Sequence, residues 1–193
     1  MKKLPLLLII IFWGCTQPDK NTSGNPTKIT FSDYVKSLDT ISLPFKHSCD
    51  ASQFADSSAR FDSTGFKKYR YNGTVRPLGL LFHDDKNIVT VDLSIGDDCL
   101  VPFLVSFDKK GNKLDSLAPY EHAGEDSDSM TRPYFKVTKD RRIVITDTTQ
   151  TWKTGIAGSE VPGSRKIITD STIYTLSEKG RFIKAPQKLL KPL

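Results

Sequence analysis

GLLFHDDKNIVTVDL, residues 79–93, decides the fold class. Leu80 to Phe82 is a short apolar run. Ile88 to Leu93 is a second, rich in β-branched residues. Between them Asp84 to Asn87 is wholly polar and carries the Asp and Asn that favour turns. Strand, tight turn, strand is the reading, with β-branched residues suited to a pleated surface.

The same grammar recurs downstream. LVPFLVSFDKKGNKLDSL (100–117) is a second hairpin, with Gly111 at a left-handed turn position. FKVTKDRRIVITDT (135–148) repeats the first type, and STIYTLSEKGRFIKA (171–185) repeats the second, with Gly180 in the place of Gly111. Ile88-Val89 aligns with Ile143-Val144 and Asp92 with Asp147, 55 residues apart, while the glycine turns lie 69 apart. Either a four-strand unit occurs twice, the second copy with a longer insertion, or the echo is the hairpin grammar that any antiparallel meander reuses. Each unit is similar to a blade of a β-propeller. Two blades cannot close a ring. The expected fold is mainly β: two antiparallel meanders packed face to face as a sandwich, or one curled sheet.

Upstream, Phe31, Tyr34, Val35 and Leu38 fall on one face of a short helix. Thr30 or Ser32 can cap it, with Asp33 in its first turn. ISLPF (41–45) reads as an edge or strand end, because proline cannot donate to a ladder. Residues 50–66 read as a long loop or weak helix.

The chain begins MKKLPLLLIIIFWGC. Lys2 and Lys3 precede an apolar run from Leu4 to Phe12 that is too short to span a bilayer but suits a signal peptide. Gly14-Cys15 resembles the lipobox of bacterial lipoproteins, although Phe12 and Trp13 depart from its usual residues. That resemblance implies a signal peptide over 1–14 and a lipid on Cys15. Residues 15–27 are polar and interrupted by prolines, a tether reaching roughly 20 Å. Residues 28–193 form a single mainly-β domain. SLPF, FDKKGNKLDSL and YTLSEKGRF, with the lipobox and tether, resemble uncharacterised secreted lipoproteins of the Bacteroidota. The resemblance implies anchoring to the bacterial cell envelope and brings no catalytic residues.

The 193 residues carry 28 Lys+Arg against 22 Asp+Glu. The charges are interspersed, so no basic stripe points to nucleic acid. Beyond the signal no second apolar run is long enough to cross a membrane. With Cys15 lipidated, Cys49 and Cys99 remain, as a candidate disulfide or as two thiols. A bridge closing that loop stabilises by roughly 4 kcal/mol in the chain-entropy account.

Catalytic signatures fail one by one. GIAGSEVPGSR (155–165) lacks both the nucleophile elbow and the lysine of a phosphate loop, and reads as a flexible insertion. His47 beside Cys49 and Asp50, and His83 beside Asp84 and Asp85, offer ligand types without zinc spacing. His122 stands apart from both. Glu121, Glu125, Asp126 and Asp128 crowd one loop without the EF-hand pattern. Asp92, Asp97 and Asp98 carry carboxylates, but an acid pair needs them across a cleft. Phe66, Tyr69, Tyr71 and Trp152 line either a recognition face or the core. IKAPQKLLKPL (183–193) suits an anionic membrane, a partner, or a frayed end. The expectation is a lipid-anchored, non-catalytic module binding an envelope protein or an extracellular ligand, with no cofactor and no metal. The alternative is a secreted hydrolase or metal-dependent enzyme.

Overall fold

The computed structural model describes residues 29–48, 64–71, 76–95 and 100–186. Cys15, Cys49, Asp50, Asp97, Asp98 and Cys99 lie outside these, as do the signal and tether. Of 183–193, only residues up to 186 are described.

Two antiparallel sheets make the body. The first is a meander of β2 (Arg76–His83), β3 (Asn87–Ile95), β4 (Leu100–Asp108) and β5 (Lys113–Leu117), in that order. The second centres on β7 (Ser129–Val137), β8 (Ile143–Thr151), β9 (Lys166–Leu176) and β10 (Phe182–Lys184). The outer edge of β7 also receives β1 (Phe45–Ser48) and the short β6 (Gly124–Asp126). The mainly β expectation holds, and the two four-strand units are the meanders β2–β5 and β7–β10.

Their equivalence extends to one register point in the first hairpin, although the β8–β9 ladder is displaced by two residues from that of β3–β4. Asp92 faces Pro77 across the first hairpin of one unit, and Asp147 faces Pro133 in the other. Two irregularities in β2, between Pro77 and Gly79 and between Leu80 and Phe82, absorb its extra residues. The β4–β5, β7–β8 and β9–β10 turns share one hydrogen-bond scheme. The amide of Asp108, Thr138 or Ser177 donates to the carbonyl four residues on, and the fourth turn residue donates back. That fourth residue has positive φ: Gly111 at 86°, Arg141 at 63° and Gly180 at 72°.

Packing of the units follows alternation along the strands. Val89 and Val91 of β3 meet Phe135, Val137, Ile143 and Ile145 of the second sheet. Ile88, on the opposite face of β3, packs with Val105 and Phe107 against Phe31, Tyr34, Leu38 and Tyr69. Equivalent faces therefore point the same way. The Ile143 face of the second unit covers the back of the first, and the matching Ile88 face is covered by a helical layer. The units are stacked in one sense, as successive blades are, rather than mirrored.

The helical layer consists of α1 (Phe31–Ser37) and a 3₁₀ turn at Thr64–Tyr69. Thr30 caps α1 through a reciprocal capping box with Asp33. Phe31 lies against Tyr69 and Phe107 at centroid separations of 5.0 and 5.1 Å. The chain then stitches the sheets together. Ile41 N–H donates to the Leu80 carbonyl and Leu80 N–H to the Asp39 carbonyl, both at 2.8 Å, before β1 crosses to β7.

Candidate functional site

β7, β8 and β9 are longer than their core requires. Their ladders run from Val137–Ile143–Tyr174 to Ser129–Thr151–Lys166. Phe135, Val137, Ile143 and Ile145 are buried at the near end, whereas no residue of β8 beyond Ile145 is. The far half is an arm of threonines, whose branching suits a strand without needing burial. Thr131 and Thr149 hydroxyls meet at 3.0 Å on one face, and Thr146 and Ser171 at 3.0 Å on the other.

The arm ends in an ordered tip. Trp152 N–H donates to the Asp128 carbonyl at 2.9 Å, and its indole Nε1–H to the Ser127 carbonyl at 3.2 Å. Arg165 lies over the Trp152 ring, 5.4 Å from its centroid. The same guanidinium donates to Glu160 at 2.5 and 3.2 Å and to Gln150 Oε1 at 3.1 Å. Residues 155–165 are thus a hydrogen-bonded hairpin tip rather than a loose insertion. Gly155 N–H donates to the Ser159 carbonyl, and Val161 N–H to the Lys153 carbonyl. A single 3₁₀ turn at the apex carries Ile156, which is 99% exposed.

β9 leaves the core along an open edge. β10 pairs with it only at Tyr174, Thr175 and Leu176, and Ala185 N–H adds one bond to the Ile173 carbonyl at 2.7 Å. From Lys166 to Thr172 that side of β9 has no strand partner among the described residues. Every residue from Arg165 to Asp170 is exposed, including Ile167 on one face (62%) and Ile168 on the other (63%). Asp170 stands directly opposite Asp147. Burial raises the Asp147 pKa; His122 opposes the rise and Asp170 adds to it.

The other candidates are dispersed. His47 is 2% exposed, shares a hydrogen bond between Nδ1 and the Tyr120 hydroxyl, and packs 5.9 Å from Phe135. Desolvation holds its pKa down at about 4. His83 is exposed where β2 ends, and Asp84 accepts from the amides of Lys86 and Asn87 within the turn. Asp92 is fully buried, with Oδ2 accepting from Tyr71 N–H at 2.7 Å, so it faces the helical layer and no cleft. The acidic run is not one loop. Glu125 and Asp126 lie in β6, where neighbours alternate faces, and Glu121 precedes it in a turn. Tyr69 is core, Tyr71 stacks on Phe103 at 4.3 Å beneath Lys113, and the Phe66 side chain lies outside the described residues.

Among the described residues no group of three or more His, Cys, Asp or Glu side chains is placed to hold a metal ion. None of their helices is long and apolar enough to cross a membrane. No family model, curated protein or solved structure matches the chain. The arm was not legible beforehand, because its threonines read as turn or strand alike. Its one signal was the pair Ile167-Ile168 directly after a glycine-rich insertion.

Proposed function

We propose that this is an exported protein, lipid-anchored through Cys15 to the bacterial cell envelope, and that its β body is a non-catalytic interaction module working through the arm. The carrying observation is the Lys166–Thr172 edge, with an exposed isoleucine on each face beside backbone that has no strand partner among the described residues. Proteins that do not use such an edge cover or shorten it, or place charge along it; here Lys166 and Asp170 flank the exposed isoleucines without covering them. Apolar side chains next to open N–H and C=O groups suit recognition by strand addition. The ordered tip with Ile156 extends the same surface.

The lysines, apolar run and Gly14-Cys15 of the N-terminus support the anchor. The polar tether is long enough to hold the body clear of a bilayer.

The test is fractionation and crosslinking in intact cells. The native protein should enter the membrane fraction and take up labelled fatty acid. Cys15→Ala should do neither, while keeping its circular dichroism spectrum. Ile167→Lys with Ile168→Lys should abolish the principal crosslinked adduct without altering fractionation. Labelling of Cys15→Ala at the native level would defeat the anchor. An unchanged adduct pattern in the isoleucine variant would defeat the arm as the working surface.

A further inference from the structure

We propose that the arm pairs with a second copy of this chain, β9 against β9, antiparallel about a two-fold axis through Ile168. This rests on the reading of the arm as an interaction surface and names its partner.

Backbone direction limits the registers. The Ile173 carbonyl accepts from Ala185 N–H on the open side of β9. Successive residues of a strand direct their backbone groups to opposite sides. Ile167, Thr169 and Ser171 therefore aim N–H and C=O at the edge, while Lys166, Ile168 and Asp170 bond toward β8. Ser171 N–H is already taken by Asp170 Oδ1 at 2.8 Å, which leaves the amides of Ile167 and Thr169 without a partner among the described residues. Two copies can pair only where edge-directed residues meet edge-directed residues.

Three two-fold centres lie from Ile167 to Thr169, the span of the two remaining amides, and side-chain chemistry separates them. Centring on Ile167 sets Lys166 against Ile168 of the other copy. Centring on Thr169 sets Ile168 against Asp170. Both oppose a charge to an isoleucine. Centring on Ile168 sets Lys166 against Asp170 twice, Ile167 against Thr169 twice, and Ile168 against itself. Both free amides are then used, because each Ile167–Thr169 pair exchanges N–H and C=O bonds across the axis. Ile168 sits at the non-hydrogen-bonded position, where the Cα atoms approach to about 4.5 Å and side chains lie closest. Opposite charges directly across an antiparallel pair favour it, and like charges oppose it. The exposed sequence Lys-Ile-Ile-Thr-Asp is thus its own complement.

The test uses the full lipidated chain in detergent, by sedimentation equilibrium from sub-micromolar to about 100 µM, the range of modest interfaces. The native chain should show a reversible dimer. Lys166→Asp and Asp170→Lys each set like charges across both ends and should weaken it about tenfold or more. An equimolar mixture of those two variants should recover the native constant, since each supplies the other's missing partner. A generally disordered arm could not recover that way. Ile168→Cys should crosslink on mild oxidation, and Thr172→Cys should not.

A native chain monomeric across the range overturns the proposal, as does failure of the mixed variants to recover. If removing residues 187–193 converts a monomer to a dimer, that segment and not a second copy occupies the edge in the intact chain, and the proposal also falls. These results leave the module reading standing provided Ile167→Lys with Ile168→Lys still removes a crosslinked adduct in cells. If that adduct persists too, both fail.

Discussion

Asp92 of β3 and Asp147 of β8 hold the same place in the two meanders, each opposite a proline and each with one buried carboxylate oxygen that has no hydrogen-bond partner among the described residues. Stacking in one sense gives them different neighbours. Asp92 is sealed beneath the helical layer, with Arg70, Lys113, Tyr34 and the Tyr71 amide around it. Asp147 faces His122 and Asp170 at the root of the arm.

Asp92 and His47 should impose opposite pH dependences on stability. Burial pushes the Asp92 pKa up to about 6 from 3.8, so the fold binds its proton more tightly than the unfolded chain does. That contribution is complete below about pH 4 and is lost as pH rises to 6, an effect of roughly 3 kcal/mol. Desolvation lowers His47 from 6.5 to about 4, so its contribution is complete above pH 6.5 and lost as pH falls to 4, again by roughly 3 kcal/mol. Between pH 4 and 6 the two largely cancel. Urea titrations should find native stability nearly flat there. Asp92→Asn should leave stability falling with acidification, and His47→Gln should leave it rising. Parallel pH profiles for the two variants would contradict the assignment.

Gly180 and Gly163 separate two costs of a side chain. Both have positive φ, 72° and 76°. A Cβ at Gly180 would strike Leu114 Cδ1 and come within 2.8 Å of Asn87 Oδ1, whereas nothing lies within 4 Å of one at Gly163. Gly163→Ala should cost about 1 kcal/mol, the conformational cost alone. Gly180→Ala should cost about 3 kcal/mol, with the steric conflict added. Denaturation midpoints of the two variants make the comparison. Equal losses would mean that the β9–β10 turn does not press on the first meander.

Thr30 is worth testing by local rather than global stability. Its hydroxyl accepts from Asp33 N–H at 3.2 Å, and its amide donates to Asp33 Oδ2 at 2.9 Å. Thr30→Ala should cost about 1 kcal/mol. Hydrogen exchange should accelerate at the α1 amides, with β3 and β4 amides unaffected. Thr30→Ser should restore native rates. Acceleration spread evenly over the first sheet would show that α1 does not open by itself.

Phe135 anchors β1 to the second sheet. Its ring lies 5.5 Å from Phe45, 5.9 Å from His47 and 6.1 Å from Tyr120. Phe135→Ala should cost 3–5 kcal/mol on the scale of buried aromatic truncations. The vacated space should also admit water to His47 and bring its pKa back toward 6.5, measurable by NMR titration. A folded variant whose His47 still titrates near 4 would count against Phe135 as its shield.

Local patterning made the hairpins legible. Asp84–Asn87, Gly111 and Gly180 are turns because few residues satisfy their geometry, and Phe31, Tyr34 and Leu38 mark α1 by spacing alone. The 55-residue echo of Ile88 and Asp92 is a repeat of strand order and of the Asp–Pro pairing, while the β8–β9 ladder is displaced by two residues from that of β3–β4. Pairings between distant segments were not legible. Lys46 and Ser48 disguise β1 as a polar stretch, so His47 looks exposed where it is core. Glu125 and Asp126 are poor strand formers, and β6 exists because β7 offers it an edge. The sense of stacking depends on which face each unit turns to the other, and two-residue alternation is silent on that.

Among the described strands nearly every ladder joins neighbours in sequence, but Phe45 must find Val137, 92 residues further on. Local hairpins close quickly, and contacts that span most of a chain come late. In a chain delivered N-terminus first, β1 emerges before its partner exists. The first meander can assemble while β1 waits, with Phe45 and His47 still in water. The crossing from Leu80 to β7 is therefore a clasp closed at the end. Any chaperone that attends the emerging chain would find its target in those waiting residues.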